Sequence, residues 1–308
     1  MKEQIRTYPI FFWKLLYNRQ LKPMDNLKKD QIEVVTIDTN QNNYQESSTL
    51  ILRKEIKEIE YFSLNLDEGV TLDMVTILGG KFMMGTPTQE QGRSKDETPE
   101  HDVNINNFFV SQYPITQSQY QAVMKENPSF FQGNNKPVEN VSWVEAQNFC
   151  QQLSQLTGKK YRLLSEAEWE YICRGNTSTS FCYGKTITSE LANYKANFGY
   201  GLGGSGKWRQ ETTEVGIFPA NSFGLYDVHG NVWEWCEDHW HENYINAPDN
   251  GKPWLEEDNS TEIEELPRVI RGGSWDDTAY YCRSGVRLWA LPNFKGKLIG
   301  FRIAVDYD

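Results

Sequence analysis

The sequence predicts an α+β fold with little regular secondary structure. Three observations support this prediction. Short segments of alternating apolar and polar residues indicate strands, and a few capped amphipathic segments indicate helices. The 23 Gly and ten Trp residues indicate a turn-rich chain with an aromatic core, which does not fit a helical bundle.

The N-terminal part of the chain differs in composition from the rest. Residues 32–37 and 49–52 alternate apolar with polar residues, and a polar stretch rich in Asn and Gln separates them. We therefore predict that residues 1–68 are an N-terminal extension or a small strand-containing module. Residues 69–308 then form the main domain.

The main domain opens with strand and helix signals in clear order. The segment MVTILGGKFMMGT, from Met74, predicts two strands around a Gly turn. Three helices should follow, beginning after the caps Thr116, Ser142 and Ser165. The last two have Glu at the capping-box position and Gly at the end: Glu145 with Gly158, and Glu168 with Gly175.

Composition also limits function and location. The formal net charge of −11 argues against nucleic acid as a partner, because binding it requires a basic face. The apolar run from Ile10 to Leu16 contains Lys14 and has no signal-peptide character, and no run is long enough to span a bilayer. We expect a cytoplasmic protein that does not bind membranes.

The sequence has five cysteines, an odd number, and no CxxC motif. This favours buried, reduced thiols.

Seven motifs occur in a characteristic order: GGKFMMGT, YPITQSQY, PVENVSWVEAQNFC, YRLLSEAEWEY, FGLYDVHGNVWEWCED, RVIRGGSW and IGFR. Together they resemble the formylglycine-generating enzyme family, also called the sulfatase-modifying factor family, over about residues 70–306. The resemblance implies a C-type-lectin-like fold of the formylglycine-generating-enzyme type.

The family's enzymes oxidise a substrate cysteine with a copper-binding cysteine pair. In this sequence Tyr280 occupies the position of the catalytic cysteine, and Cys282 is out of register. A thiolate site for copper needs two soft ligands, and only one thiol lies here. A formylglycine-generating oxidoreductase is therefore disfavoured, and we expect no enzyme activity and no redox cofactor.

The C-terminal segment, about residues 268–306, also resembles the variable region of cyanobacterial-type diversity-generating retroelement proteins. In such systems adenines of the coding segment are mutated, so that AAC codons become other codons ending in C. The residues that match constant positions, here called the constant residues, are Trp275, Cys282, Arg283, Ser284 and Arg287. The residues at positions that match template Asn codons, here called the variable residues, are Asp276, Asp277, Thr278, Tyr280, Tyr281, Val286, Leu288, Ala290 and Phe294.

All variable residues can be encoded after adenine-only changes to AAC. Lys, Glu, Gln, Met and Trp cannot be, and none of them occurs at these positions. Gly285, Asn293 and Gly296 could also be variable. We predict a ligand-binding surface at the variable residues, for an unidentified protein or other macromolecule. The alternative for the aromatic residues is ordinary core packing, and the alternative function is a fixed regulatory or interaction domain of the same fold.

The motif LYDVHGNVWEW carries a metal prediction that comes from the family resemblance. The family's structural calcium ligands match the side chains of Asp227 and Glu234 and the carbonyl groups of Gly230 and Val232. Hard oxygen ligands of this kind suit calcium. The alternative is that Asp227 and Glu234 serve in capping or salt bridges.

Overall fold

The computed structural model describes residues 27–39, 50–256 and 265–307. The N-terminal apolar run at residues 10–16 lies outside them. Within the described residues the strands and helices are β1 (Lys28–Thr39), β2 (Leu50–Asp67), β3 (Val70–Ile77), β4 (Gly80–Met84), β5 (His101–Ile105), β6 (Phe108–Ser111), α1 (Gln117–Met124), α2 (Trp143–Thr157), β7 (Tyr161–Leu163), α3 (Glu166–Arg174), β8 (Trp233–His239), β9 (Arg268–Arg271), β10 (Arg287–Ala290), β11 (Ile299–Gly300) and β12 (Ile303–Asp306).

The strands form three sheets. The largest has the order β1-β2-β3-β6-β12-β7, so β12, near the C-terminus, lies between β6 and β7 inside this sheet. A second sheet has the order β10-β9-β8-β11, and β4 pairs with β5 alone. The C-terminal segment therefore contributes to both larger sheets, with β9, β10 and β11 in the second and β12 in the first.

The N-terminal strands β1 and β2 form an antiparallel hairpin at the edge of the first sheet. Lys28 lies opposite Tyr61, and the pairing continues to Thr39 opposite Leu50. Strand β2 then pairs with β3 from Tyr61 onward. The hairpin also contacts the main domain, because Val34 forms a bridge with Ala220. The residues before position 68 that are described thus continue the sheet of the main domain.

The predicted helix caps are confirmed. Thr116, Ser142 and Ser165 each accept a hydrogen bond from the backbone N–H three residues later, and each belongs to a reciprocal capping box. Gly158 and Gly175 end α2 and α3 in the left-handed conformation, as predicted. The strand pair around the Gly turn is also confirmed, as β3 and β4.

The core is aromatic, and it also contains buried arginines. Trp169 of α3 and Trp235 of β8 are among the largest fully buried side chains, together with Arg271, Arg283, Arg287 and Arg302. A buried arginine is tolerated only where carboxylates and carbonyl groups satisfy its donors. All four of these arginines lie in the C-terminal segment, which is therefore joined to the core by buried charged groups. No helix of the described residues is long and apolar enough to cross a membrane.

Candidate ligand-binding surface

The two glycines of RVIRGGSW allow the chain to leave β9 in close contact with the core. Gly272 and Gly273 have positive φ angles of 100° and 76°. A Cβ atom at Gly272 would lie 2.9 Å from Cζ2 of Trp169, and one at Gly273 would lie 2.6 Å from Sγ of Cys282. The motif therefore requires glycine for steric as well as conformational reasons.

Buried ion pairs connect the segment to α3. The guanidinium group of Arg287 binds both oxygens of Glu166, at 2.6 and 2.7 Å. Arg271 of β9 donates to Glu166 at 3.1 Å and also binds Glu170. Burial alone would raise the pKa of Glu166, but Arg287 and Arg271 hold this pKa below its ordinary value. The segment is thus tied to a fixed helix through groups that no variable residue supplies.

Arg283 makes a second connection, to the loop after β4. It binds the carboxylate of Glu97 at 2.7 and 3.0 Å and that of Glu90 at 2.7 Å. Its side chain is fully buried. The charges of the constant residues Arg283 and Arg287 are therefore satisfied by carboxylates that lie outside the segment.

Four of the variable residues have exposed side chains. Tyr280 and Tyr281 lie on a 3₁₀ turn whose flanking residues Ala279 and Cys282 are buried, so the turn directs the two rings outward. The rings contact each other edge to face, with centroids 5.5 Å apart. Leu288 is exposed in β10, and the side chain of Phe294 is 52% exposed.

Trp289 and Leu291 are exposed as well, and the sequence analysis did not assign them to the surface. Half of Trp289 is accessible to solvent, and Leu291 is 53% exposed. Trp289 lies in β10 at the edge of its sheet, where the consecutive residues 288 and 289 are exposed, and Leu291 directly follows this strand. The only sequence signal was the apolar run LWAL.

Two variable residues do not reach the surface. Val286 is 4% exposed and Ala290 is 8% exposed, and both belong to the hydrophobic core. The prediction that they contribute to an exposed binding face is wrong for these side chains. Val286 follows the buried Arg283, whose carbonyl group accepts its N–H, and Ala290 ends β10 on the inward side.

The remaining variable residues are half-buried. The carboxylate of Asp277 accepts hydrogen bonds from Nε1 of Trp233 at 2.8 Å and from Oγ of Ser274 at 2.5 Å. Burial raises the pKa of Asp277, although these hydrogen bonds oppose the shift. Asp276 lies 3.5 Å from Nζ of Lys195, and Thr278 precedes the 3₁₀ turn. Asp277 thus packs inward, and Asp276 and Thr278 border the exposed aromatic residues.

Glu234, one of the two carboxylates predicted to bind calcium, forms a buried ion pair. Both oxygens of Glu234 accept hydrogen bonds from Arg302, at 2.6 and 2.8 Å, and one also accepts from Nε1 of Trp169 at 2.7 Å. The salt-bridge alternative therefore describes Glu234. The described residues contain no group of three or more His, Cys, Asp and Glu side chains that could hold a metal.

Asp227 keeps one carboxylate oxygen available for a metal ion. Its Oδ2 accepts from the N–H of Gly216 at 2.8 Å, and its Oδ1 is buried without a hydrogen-bond partner. Burial raises the pKa of Asp227 to about 6. The carbonyl of Gly230 accepts from the N–H of Val232 at 2.9 Å. Calcium binding in this loop stays a prediction, and Asp227 is the residue that could support it.

The thiols are buried and unpaired, as predicted. All five cysteines are free and buried. Burial raises the pKa of Cys282, the thiol nearest the position of the family's catalytic pair, well above its ordinary value. Reactive cysteines need an accessible thiolate, which requires a lowered pKa. The side chain at the expected catalytic position, Tyr280, has no nucleophilic sulfur.

Comparison with known families now identifies the domain. A model described as "Sulfatase-modifying factor enzyme 1-like domain" matches residues 65–307. The chain belongs to this family. The predicted C-type-lectin-like fold of the formylglycine-generating-enzyme type is confirmed, with 15% helix and 31% strand among the described residues.

Curated proteins with different names are similar to this chain. The formylglycine-generating enzyme of Mus musculus is 28% identical, over 76% of this chain and 75% of the relative. The "Chaperone protein LppX" of Paenibacillus barcinonensis is 31% identical, over 63% of this chain and 82% of the relative. A serine/threonine-protein kinase, pkn1 of Chlamydia caviae, is 29% identical, and the chain spans only 38% of its length.

Two solved structures of this fold superpose well. PvdO from Pseudomonas aeruginosa has a TM-score of 0.68 and 34% identity, covering 80% of this chain and 98% of that one. The Treponema denticola variable protein 1 has a TM-score of 0.65 and 26% identity, covering 80% of this chain and 99% of that one. The family thus relates this chain both to an enzyme and to a variable protein.

Proposed function

We propose that this protein is a non-enzymatic ligand-binding protein whose C-terminal segment, about residues 268–306, is diversified by a retroelement through adenine mutagenesis. The observation that carries the proposal is the division of the segment into buried constant residues and exposed variable residues. The constant residues Arg283 and Arg287 are held by buried carboxylates of other segments. The variable residues Tyr280, Tyr281, Leu288 and Phe294 are exposed beside them.

This division suits a binding surface that changes in sequence while its backbone stays in place. Tyr and Phe supply large contact areas with few rotatable bonds, as they do in antibody loops. The similarity to the Treponema denticola variable protein 1 supports the same function. The ligand is a protein or another macromolecule, because the exposed side chains form a surface rather than an enclosed cavity. We retain the cytoplasm as the proposed location.

The absence of enzyme activity is part of the proposal. It is supported by Tyr280 at the catalytic position and by the raised pKa of the buried Cys282 thiol. Incubation with copper and a cysteine peptide of the sulfatase type should yield no formylglycine. Formation of the aldehyde, detected by mass spectrometry, would restore the oxidoreductase alternative.

The decisive experiment is to sequence the DNA beside the gene and search for a template repeat of codons 268–306. We expect mismatches at adenines only, at the codons of Asp276, Asp277, Tyr280, Tyr281, Val286, Leu288 and Phe294. The codons of the constant residues, and that of the exposed Trp289, should match the template and serve as internal controls. Mismatches at other bases would contradict diversification.

A fixed interaction domain is the second candidate function. The similarity to pkn1 of Chlamydia caviae supports it, because there the similar region is part of a much longer chain. If no template repeat and no reverse transcriptase gene lie nearby, this second candidate replaces the first.

A further inference from the structure

Strand β2 has a long edge to which no strand is paired. Residues 50–61 of β2 pair with β1 on one side. On the other side, pairing with β3 begins only at Tyr61. Within the described residues, no strand or isolated bridge pairs with residues 50–60 on this second side. The family match begins at residue 65, so this edge lies outside the shared domain.

The open part of β2 is also exposed on its faces. Residues 51–56 are all exposed. They include Ile51, Leu52 and Ile56, with 38%, 49% and 60% of their surface accessible. An edge of this kind presents unpaired N–H and C=O groups, which bind another strand readily. Exposed apolar residues on such an edge add a favourable contact on pairing.

The charges of this edge are complementary to themselves in one antiparallel register. If Ile56 lies opposite Ile56 of a second copy, Lys54 lies opposite Glu58 of that copy and Glu55 lies opposite its Lys57. Because the arrangement has two-fold symmetry, each pair occurs twice. Opposite charges directly across an antiparallel pair are stabilising, and like charges are destabilising.

Neighbouring registers lack this complementarity. A shift by one residue places Lys54 opposite Lys57 in one direction and Glu55 opposite Glu58 in the other. A shift by two residues puts Glu55 opposite Glu55 of the second copy in one direction and Lys57 opposite Lys57 in the other. The charge pattern therefore selects the register centred on Ile56.

We propose that two copies of this chain associate through antiparallel pairing of their β2 edges, centred on Ile56. The four charged side chains are accessible, since Lys54, Glu55, Lys57 and Glu58 are 62%, 70%, 36% and 54% exposed, although Lys54 also pairs with Glu33 and Glu58 with Lys29 within the chain. The pairing joins the first sheets of the two copies into one continuous sheet. It leaves β10 free, because β10 belongs to the second sheet.

The test measures self-association of charge variants of the full chain by sedimentation velocity over a wide concentration range. Two single variants each reverse one charge, and a double variant exchanges the two. Wild type should dimerise as concentration rises. Glu55→Lys and Lys57→Glu should each weaken self-association at least about tenfold, because each places like charges across the axis. The double variant should dimerise like wild type. An equimolar mixture of the two single variants should also dimerise, because the introduced lysine of one copy then faces the introduced glutamate of the other.

Glu68→Lys is the matched control, because it makes the same charge change at an exposed position of the turn after β2. It should dimerise like wild type. Circular dichroism of each variant confirms the fold, and rescue in the mixture excludes misfolding as the cause of dissociation. A wild type that is monomeric at every concentration, or a dimer that Glu55→Lys leaves intact, would overturn the proposal.

Discussion

Replacement of Arg287 by alanine should destabilise the protein far more than any change to the exposed variable residues. Arg287 binds both oxygens of Glu166, and its Nη1 donates to the carbonyl groups of Asp96 and His241 at 2.9 and 3.0 Å. Its guanidinium group also lies 4.2 Å from the ring centroid of Tyr244. Arg287→Ala leaves a buried carboxylate with only part of its partners.

The expected loss in free energy of unfolding follows from the burial and the contacts of each side chain. Breaking a buried ion pair by removing one partner costs about 3–5 kcal/mol. Phe294 is half exposed, so Phe294→Ala forfeits roughly half of a side chain's transfer free energy, at most about 1 kcal/mol. Val286→Ala removes less side chain but empties a buried site, and it should cost about 2 kcal/mol or more.

Urea unfolding, followed by tryptophan fluorescence, measures the three free energies of unfolding. The expected order of destabilisation is Arg287→Ala, then Val286→Ala, then Phe294→Ala. If Phe294→Ala were as damaging as Val286→Ala, Phe294 would be a core residue, and the surface assigned here would be incorrect.

Three further predictions concern Asp227, Glu234 and the thiols. Because burial raises the pKa of Asp227 from 3.8 to about 6 in the folded protein, stability should fall as pH rises from 4 to 6. Asp227→Asn should therefore be near neutral at pH 4 and stabilising by about 1–3 kcal/mol at pH 7, measured by urea unfolding; equal effects at both pH values would refute the shift. Glu234→Gln should lower the melting temperature equally in calcium and in EDTA, because Arg302 loses its partner either way; a loss seen only in calcium would make Glu234 a ligand. Native protein should react with a thiol reagent far more slowly than protein in denaturant, since all five cysteines are buried; rapid reaction of one thiol, located by peptide mapping, would identify an accessible site.

The sequence predicted those features that depend on local signals. The helices after Thr116, Ser142 and Ser165 were predictable because a cap is a contact between residues three apart. The exposure of Tyr280 and Tyr281 was also predicted correctly, but from the resemblance of the segment to a variable region and not from a local signal.

Features that depend on distant partners were not predictable in the same way. The burial of Val286 and Ala290 depends on which side of β10 faces the core, and a four-residue strand carries too little pattern to show this. Glu234 could have been a metal ligand or an ion-pair partner. Only the packing of β8 beside Arg302 distinguishes the two.

The edges of the two larger sheets give the protein two separate surfaces, one for each sheet. The exposed variable residues lie on β10 and in the segments on either side of it, whereas the self-complementary edge lies on β2. A dimer formed through β2 therefore carries two copies of the variable surface. If the ligand is itself a repeated structure, the second contact becomes intramolecular, and the overall affinity rises without any change in the individual surface. Monomeric Glu55→Lys should then bind an immobilised, multivalent ligand more weakly than wild type, and should bind the same ligand in monovalent form equally well.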